Sequence, residues 1–316
     1  MKVKLGKKLP LVKQLLLVEG ISRAGKFLLA NILNGFRGIE PVQQHGLLDQ
    51  VPFWAKSGLI NHETARELIR SEIDTYCYEM LIGRNFNHRI WDKSSIFNVP
   101  HYKKYLARSK EKNIGKTMER FNKEKPASFF IMHELMPNIK IYFETFPELK
   151  VVSIMRDPVD LVYSWHKRGA GKAYLTDPRI AKAMVRGKHG QVMWFMHQWK
   201  DIYHQLSEID RVILSIKNLS DMYKTAYRSL PQKYQKKILF VSYEDVLSNT
   251  KRIVKILGDF LDKKPLPEMK LILKREKLPA IKKPELRAQK LEEIKKMVSK
   301  KYFNVLIKLE KEYEKS

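Results

Sequence analysis

Gly20, Gly25 and Lys26 fit the spacing G-x4-G-K, in which a tight loop turns its backbone N–H groups toward one point. If a helix follows, its N-terminal dipole adds to those donors, and the point becomes an anion site suited to a phosphate. A magnesium-dependent nucleotide enzyme needs a Ser or Thr hydroxyl directly after that lysine, and here the residue is Phe27. The loop is therefore expected to hold a phosphate without that metal. A second pair is Arg156 and, eight residues on, Ser164, about two helical turns apart. An always-charged planar fork and a hydroxyl at one opening suit a terminal phosphate. The alternative for Arg156 is an ion pair with Asp157 or Asp160. His133 is the third candidate. It ends an apolar run before the break at Pro137, and an unperturbed imidazole titrates near neutral pH, as a general base requires. Glu134 is its neighbour and its rival. The other histidines show no metal-ligand spacing.

These residues need particular elements to position them. The apolar run at residues 15–18 reads as a buried strand, residues 20–25 as the loop, and Lys26 onward as a helix ending near Gly35. Strands are expected at residues 39–42, 128–132, 151–155, 212–216 and 238–242. Helices are expected at 138–146, 191–207, 220–229 and 249–261. Strands alternating with helices, several as continuous apolar runs, specify an α/β fold with a central, mostly parallel sheet covered on both faces. We expect one domain over residues 1–316. Residues 45–125 interrupt the alternation and read as a helical insertion, with Asn61 capping a helix over residues 62–81 and a polar loop after it. That insertion either shapes an acceptor pocket or covers one sheet face. Residues 284–316 read as a helical tail with Leu286, Ile294, Val298, Leu306 and Leu309 as packing positions. A tail docked on its own domain is favoured over peripheral membrane contact.

Lys and Arg number 61 against 34 Asp and Glu, a net charge of +27, which implies an anionic partner. The basic residues are spread along the chain with no single-sign tail. The lone Cys77 excludes an internal disulfide and a cysteine-based metal site, and points to a reducing, cytoplasmic setting. No stretch approaches the roughly 18 apolar residues of a membrane span, and the opening MKVKLGKKLP has no apolar signal core.

GISRAGKFLL, SIMRDPVDLVYSW and VSYEDVLSNTKRIVKILGDFL, in that order, resemble the three landmarks of PAPS-dependent sulfotransferases. The landmarks span residues 14–261. The resemblance implies a P-loop-like fold in which the loop residues Arg23, Ala24, Gly25, Lys26 and Phe27 grip the 5′-phosphosulfate. Arg156 and Ser164 would grip the 3′-phosphate, and Tyr243 would lie beside the adenosine. It also implies no metal, with Arg23 placed on the transferring group; Lys26 would supply a second positive charge there, the alternative being a helix-start lysine facing water. Lys26 and Phe27 depart from the family's hydroxyl residues, which leaves the loop's backbone donors for that task. His133 stands 23 residues before Arg156, a separation similar to that of the catalytic histidine in cytosolic sulfotransferases. Some carbohydrate sulfotransferases use Glu instead, the type at Glu134. The implied activity is sulfuryl transfer from PAPS to a hydroxyl, with PAP as product and a carbohydrate or other anionic acceptor favoured by the basic surface. The rivals are a P-loop kinase, opposed by Phe27 and by the absence of a strand-end Asp for magnesium, and a basic nucleic-acid-binding protein. The latter is supported by charge alone and carries no recognition motif, so no nucleic-acid partner is expected.

Overall fold

The computed structural model describes residue 6 and residues 9–172, 182–280 and 284–315. Most of the opening stretch MKVKLGKKLP therefore lies outside the described residues, as does Ser316 at the end of the tail.

Five parallel strands form the central sheet: β1 (Gln14–Glu19), β2 (Gln43–Gln44), β3 (Ala127–Ile131), β4 (Leu149–Met155) and, later in the chain, Ile238–Ser242. An antiparallel hairpin of β5 (Met184–Gly187) and β6 (Gly190–Met193) precedes the last of these, which is β7. The order across the sheet is β2-β3-β1-β4-β7. β1 is central, with Leu17 opposite Phe130 on one side and Val151 on the other. A strand paired on both edges and covered on both faces must be apolar throughout, which is why QLLLVE reads as a continuous run. Its side chains alternate between the two faces. Leu15 and Leu17 enter one core with the helix His62–Leu81, and Leu16 and Val18 enter the other with the helices Lys26–Leu33 and Thr250–Leu261.

The expected helix at residues 62–81 forms with those bounds, and the Asn61 side chain accepts from the Thr64 N–H at 2.8 Å. It buries Ala65, Ile69, Ile73, Cys77 and Leu81, one residue per turn, against the sheet. It belongs to a helical segment between β2 and β3 that begins with the helix Gly46–Lys56. A buried bidentate pair, Arg108 to Glu40 at 2.6 and 2.9 Å, ties the far end of that segment back to the sheet.

Three expectations need correction. Residues 39–42 are not a strand: Pro41 offers no N–H, so Ile39 makes an isolated bridge to Ala127 and pairing resumes at β2. Residues 212–216 are helical, within Glu208–Ser229. The apolar run imitates a strand, but Ser207 caps Asp210 N–H at 3.3 Å, and Ile209, Val212, Ile213, Ile216 and Leu219 form a helical stripe in a third core. Residues 191–207 are not one helix: β6 is followed by the 3-10 turns Trp194–Trp199 and Tyr203–Gln205, and Trp194, Phe195 and Met196 are consecutive and all buried. No single helical face can bury three successive residues.

The tail forms two helices, Pro284–Lys295 and Lys300–Glu314. Ile294, Leu306 and Leu309 are buried in the third core and Val298 packs against it, whereas Leu286 is exposed. Among the described residues no helix is long and apolar enough to cross a membrane.

Candidate active site

Parallel pairing brings the C-terminal ends of β1, β3, β4 and β7 to one edge, where α/β sheets place their ligand groups. Four segments emerge there: Gly20–Gly25, His133-Glu134, Arg156-Asp157 and Tyr243.

The loop after β1 is shaped by two glycines with no room for a side chain. Gly20 has φ 152° and a Cβ there would stand 2.5 Å from the Ile154 carbonyl oxygen. Gly25 has φ 107° and its Cβ would meet the Tyr243 ring at 2.4 Å. Between them Arg23 takes φ 72°, a left-handed conformation that costs on the order of 1 kcal/mol outside glycine and needs outside support. That support is present. Arg156 Nη1 donates to the Arg23 carbonyl at 2.9 Å, and Arg23 Nε donates to Ser164 Oγ at 3.1 Å. Trp165 Nε1 donates to the Ser22 carbonyl at 2.6 Å, and the Ser22 N–H donates to Glu134 Oε1 at 2.6 Å.

Arg23, Arg156 and Ser164 are thus brought together, with the Arg156 guanidinium 4.5 Å over the Tyr243 ring. Burial lowers the Arg23 pKa, and the positive charges of Arg168 and Arg156 lower it further. The carboxylates that could have neutralised Arg156 are engaged elsewhere. Asp157 caps its own helix through Val159 and Asp160 N–H at 2.8 and 3.1 Å and accepts from Arg287 at 3.0 Å. Asp160 accepts from Lys290 at 2.5 Å. Arg156 Nε is buried without a partner. Two arginines in contact, the positive charge of Arg168 acting on one of them, an unpaired buried donor and a glycine loop make an arrangement that a polyanionic ligand completes.

Lys26 is placed differently from its expected role on the transferring group. Its ammonium donates to the carbonyls of Gly20 at 2.7 Å and Ile21 at 3.1 Å. Burial brings its pKa down to about 8, against the opposing charges of Glu19 and Asp49. Glu19 lies fully buried below, accepting from Tyr223 Oη at 2.8 Å, Met136 N–H at 3.3 Å and Ser153 Oγ. Burial raises its pKa. Phe27 and Ala24 turn their side chains into the second core, which leaves only their backbone for the loop.

On the β3 side the His133 N–H donates to Asp49 Oδ1 at 2.8 Å, and its Nδ1 lies 3.3 Å from Asp49 Oδ2. The expectation of a near-neutral imidazole is overturned: burial, reinforced by the charge of Lys26, brings its pKa down to about 4. Glu134 sits 1% exposed at φ 49°, with Oε1 on Ser22 and Oε2 against the Lys182 ammonium. Burial lowers the Lys182 pKa to about 7. Sequence reasoning missed Asp49, Lys182, Glu19 and Trp165. Trp165 adjoins Ser164 and could have been found. The other three carry no local signal. Among the described residues no group of three or more His, Cys, Asp or Glu side chains is placed to hold a metal ion.

The solved structures similar to this chain include the sulfotransferase domain from the curacin biosynthetic pathway, at 12% identity over 83% of this chain and 77% of that one, TM-score 0.45. Sulfotransferase STF1 from Mycobacterium tuberculosis H37Rv matches at 11% identity over 88% and 76%, TM-score 0.42. Retinol dehydratase in complex with androsterone and PAP matches at 15% identity over 83% and 64%, TM-score 0.31. A search of curated protein sequences finds no match. The family description "Sulfotransferase domain" matches residues 55–306, with the Gly20–Gly25 loop lying before the matched stretch. A match over most of the chain settles the family, and this protein belongs to the sulfotransferases.

Proposed function

We propose that the protein transfers a sulfuryl group from PAPS to an acceptor hydroxyl. The observation that carries this reading is the meeting of the Gly20–Gly25 loop with Arg23, Arg156 and Ser164, where no carboxylate pairs with Arg156 among the described residues. Arg156 and Ser164 would hold the 3′-phosphate and Tyr243 the adenosine. Arg23 and the backbone N–H groups of Arg23, Gly25, Lys26 and Phe27 would hold the 5′-phosphosulfate, with the Ala24 N–H bonded to the Ile21 carbonyl to shape the turn, and donors fixed in advance stabilise charge growing on the leaving phosphate. Lys26 would serve by bracing the carbonyls of Gly20 and Ile21, so that the loop's N–H groups face the anion. When bound, PAPS supplies the activated sulfuryl group, and an in-line displacement follows from its presentation to the acceptor.

His133 would take the acceptor's proton. Its low pKa keeps it neutral and able to accept at neutral pH, and no hydrogen bond occupies Nε2 among the described residues. Glu134 is less suited, because both of its oxygens are committed. We further propose a polar or anionic acceptor, carbohydrate by preference. The loop between the helix His62–Leu81 and residue 102 carries Arg84 and His88, and an exposed Trp91 with Arg89 5.7 Å over its ring. Sugars stack on indole and acidic groups meet arginine. A cytoplasmic setting, read from the single buried Cys77, belongs to the same proposal.

Calorimetry with PAP and with ATP, each with and without EDTA, tests the donor. PAP should bind without magnesium and clearly more tightly than ATP; tight magnesium-dependent ATP binding would overturn the reading in favour of a kinase. Labelled PAPS offered with pooled acceptors would then identify the hydroxyl.

A further inference from the structure

We infer that Asp49 is a positioning residue that fixes the tautomer and orientation of His133, leaving Nε2 free to receive the acceptor's proton. The inference rests on His133 being the base.

Both carboxylate oxygens of Asp49 meet the same residue: Oδ1 accepts the backbone N–H of His133 at 2.8 Å, and Oδ2 faces Nδ1 at 3.3 Å. An ionised carboxylate can only accept, so Nδ1 must carry the ring proton and Nε2 the lone pair. The His133 side chain is 16% exposed, so it is not wholly closed off from solvent. Asp49 itself is held firmly. Its helix, Gly46–Lys56, buries Leu48 and Val51 in the first core, and Tyr142 Oη donates to the Leu48 carbonyl at 2.8 Å.

Charge makes the contact necessary as well as orienting. Lys26, from the loop helix, and Lys182, beyond the helix Pro158–Lys167, both oppose a positive imidazole. Glu134 cannot offset them, being bonded to Ser22 and Lys182. Asp49 is the carboxylate in contact with the ring, so it offsets the charge that arrives when the proton does. In the transfer, the acceptor oxygen forms its bond to sulfur and its proton passes to Nε2. The bond from sulfur to the donor's phosphate oxygen breaks, and that oxygen leaves with the electron pair. The other ring proton stays on Nδ1, facing Asp49 Oδ2, and the proton on Nε2 is released to water after the product departs.

The test is the tautomer itself, read by nitrogen NMR on the whole protein, with His133→Gln identifying the resonance. The wild type should show the Nδ1-protonated form. Asp49→Asn keeps an oxygen for the backbone N–H but turns an NH2 toward the ring. It should convert His133 to the Nε2-protonated form and cut turnover by roughly 10²–10⁴-fold, as for a base holding its proton on the wrong nitrogen. PAP affinity should stay within about threefold. An Nε2-protonated ring in the wild type overturns the inference without any variant, even if Asp49→Asn does not fold. So does an Asp49→Asn protein with unchanged tautomer and turnover within about threefold. Full turnover in His133→Gln would sink the base reading itself, whatever the tautomer.

Discussion

The two halves of the strand-end edge are built by different means. On the β4 side, arginines are partly open to solvent and the loop relies on backbone geometry; the side chains that count stand directly after strand ends, in short segments at Arg23, Arg156 to Ser164 and Tyr243. On the β3 side the polar groups are buried and come from distant parts of the chain. Asp49 is 84 residues from His133, and Lys182 reaches in from beyond the helix Pro158–Lys167. An anion-holding surface tolerates solvent because its ligand brings the missing charge. A proton-transfer group needs fixed protonation, which requires exclusion of water and a neighbour of defined charge.

The sharpest way to break this contrast is to remove His133. In His133→Ala turnover should fall by roughly 10²–10⁴-fold with PAP affinity nearly unchanged, as for loss of a general base. Glu134→Gln should affect turnover much less. A joint fall in melting temperature and nucleotide affinity for His133→Ala would make the β3 side architectural. Next in size, Arg156→Ala should weaken PAP binding by roughly 2–4 kcal/mol, with a much smaller effect on the analogue lacking the 3′-phosphate. Arg156 also holds the Arg23 carbonyl. Equal losses for both nucleotides would therefore show it acting on the loop alone.

The pH response should separate the halves as well. If His133 is the base we propose, a pKa of about 4 keeps it neutral above that pH, so kcat/KM should hold down to about pH 5 and fall as pH passes 4. A free histidine titrates near 6.5, so the unfolded chain binds the extra proton first. Stability should therefore drop as pH falls from about 6.5 toward 4, and His133→Ala should abolish that component in thermal melts. An activity limb near 6.5 would mean an imidazole far wetter than the one described. The smallest effect belongs to Ser164→Ala. It removes one hydrogen bond to Arg23 and should cost about 0.5–1.5 kcal/mol in PAP affinity, measured by calorimetry.

The contrast also accounts for what could be read in advance. Gly20, Gly25, Arg156 and Ser164 were legible because each is part of a strand, a turn and a helix adjacent in sequence, where spacing is geometry. The parallel sheet was legible from its apolar runs for the same reason. Asp49 was not, because an aspartate in the first turn of an amphipathic helix is ordinary, and only the packing of that helix into the first core brings it to His133, beyond the end of β3. Residues 212–216 misled for a related reason. Five residues contain too little of a helical period to differ from a buried strand, and the cap at Ser207 lies outside that window.

The tail bears on how far the chain can be trimmed. Arg287 joins Asp157 to Glu310, Lys290 holds Asp160, and Tyr313 Oη donates to Glu244, whose other oxygen accepts the Asp157 N–H at 3.1 Å. The residues opening the Arg156 helix are thereby braced from the far end of the sequence. A protein cut at residue 283 would keep every strand and every side chain assigned to the nucleotide. It would also bare the face of Glu208–Ser229 that now covers Ile294, Leu306 and Leu309, and release both aspartates. Freed from Arg287 and Lys290, those carboxylates would become available to Arg156, and the truncated protein would compete with its own ligand.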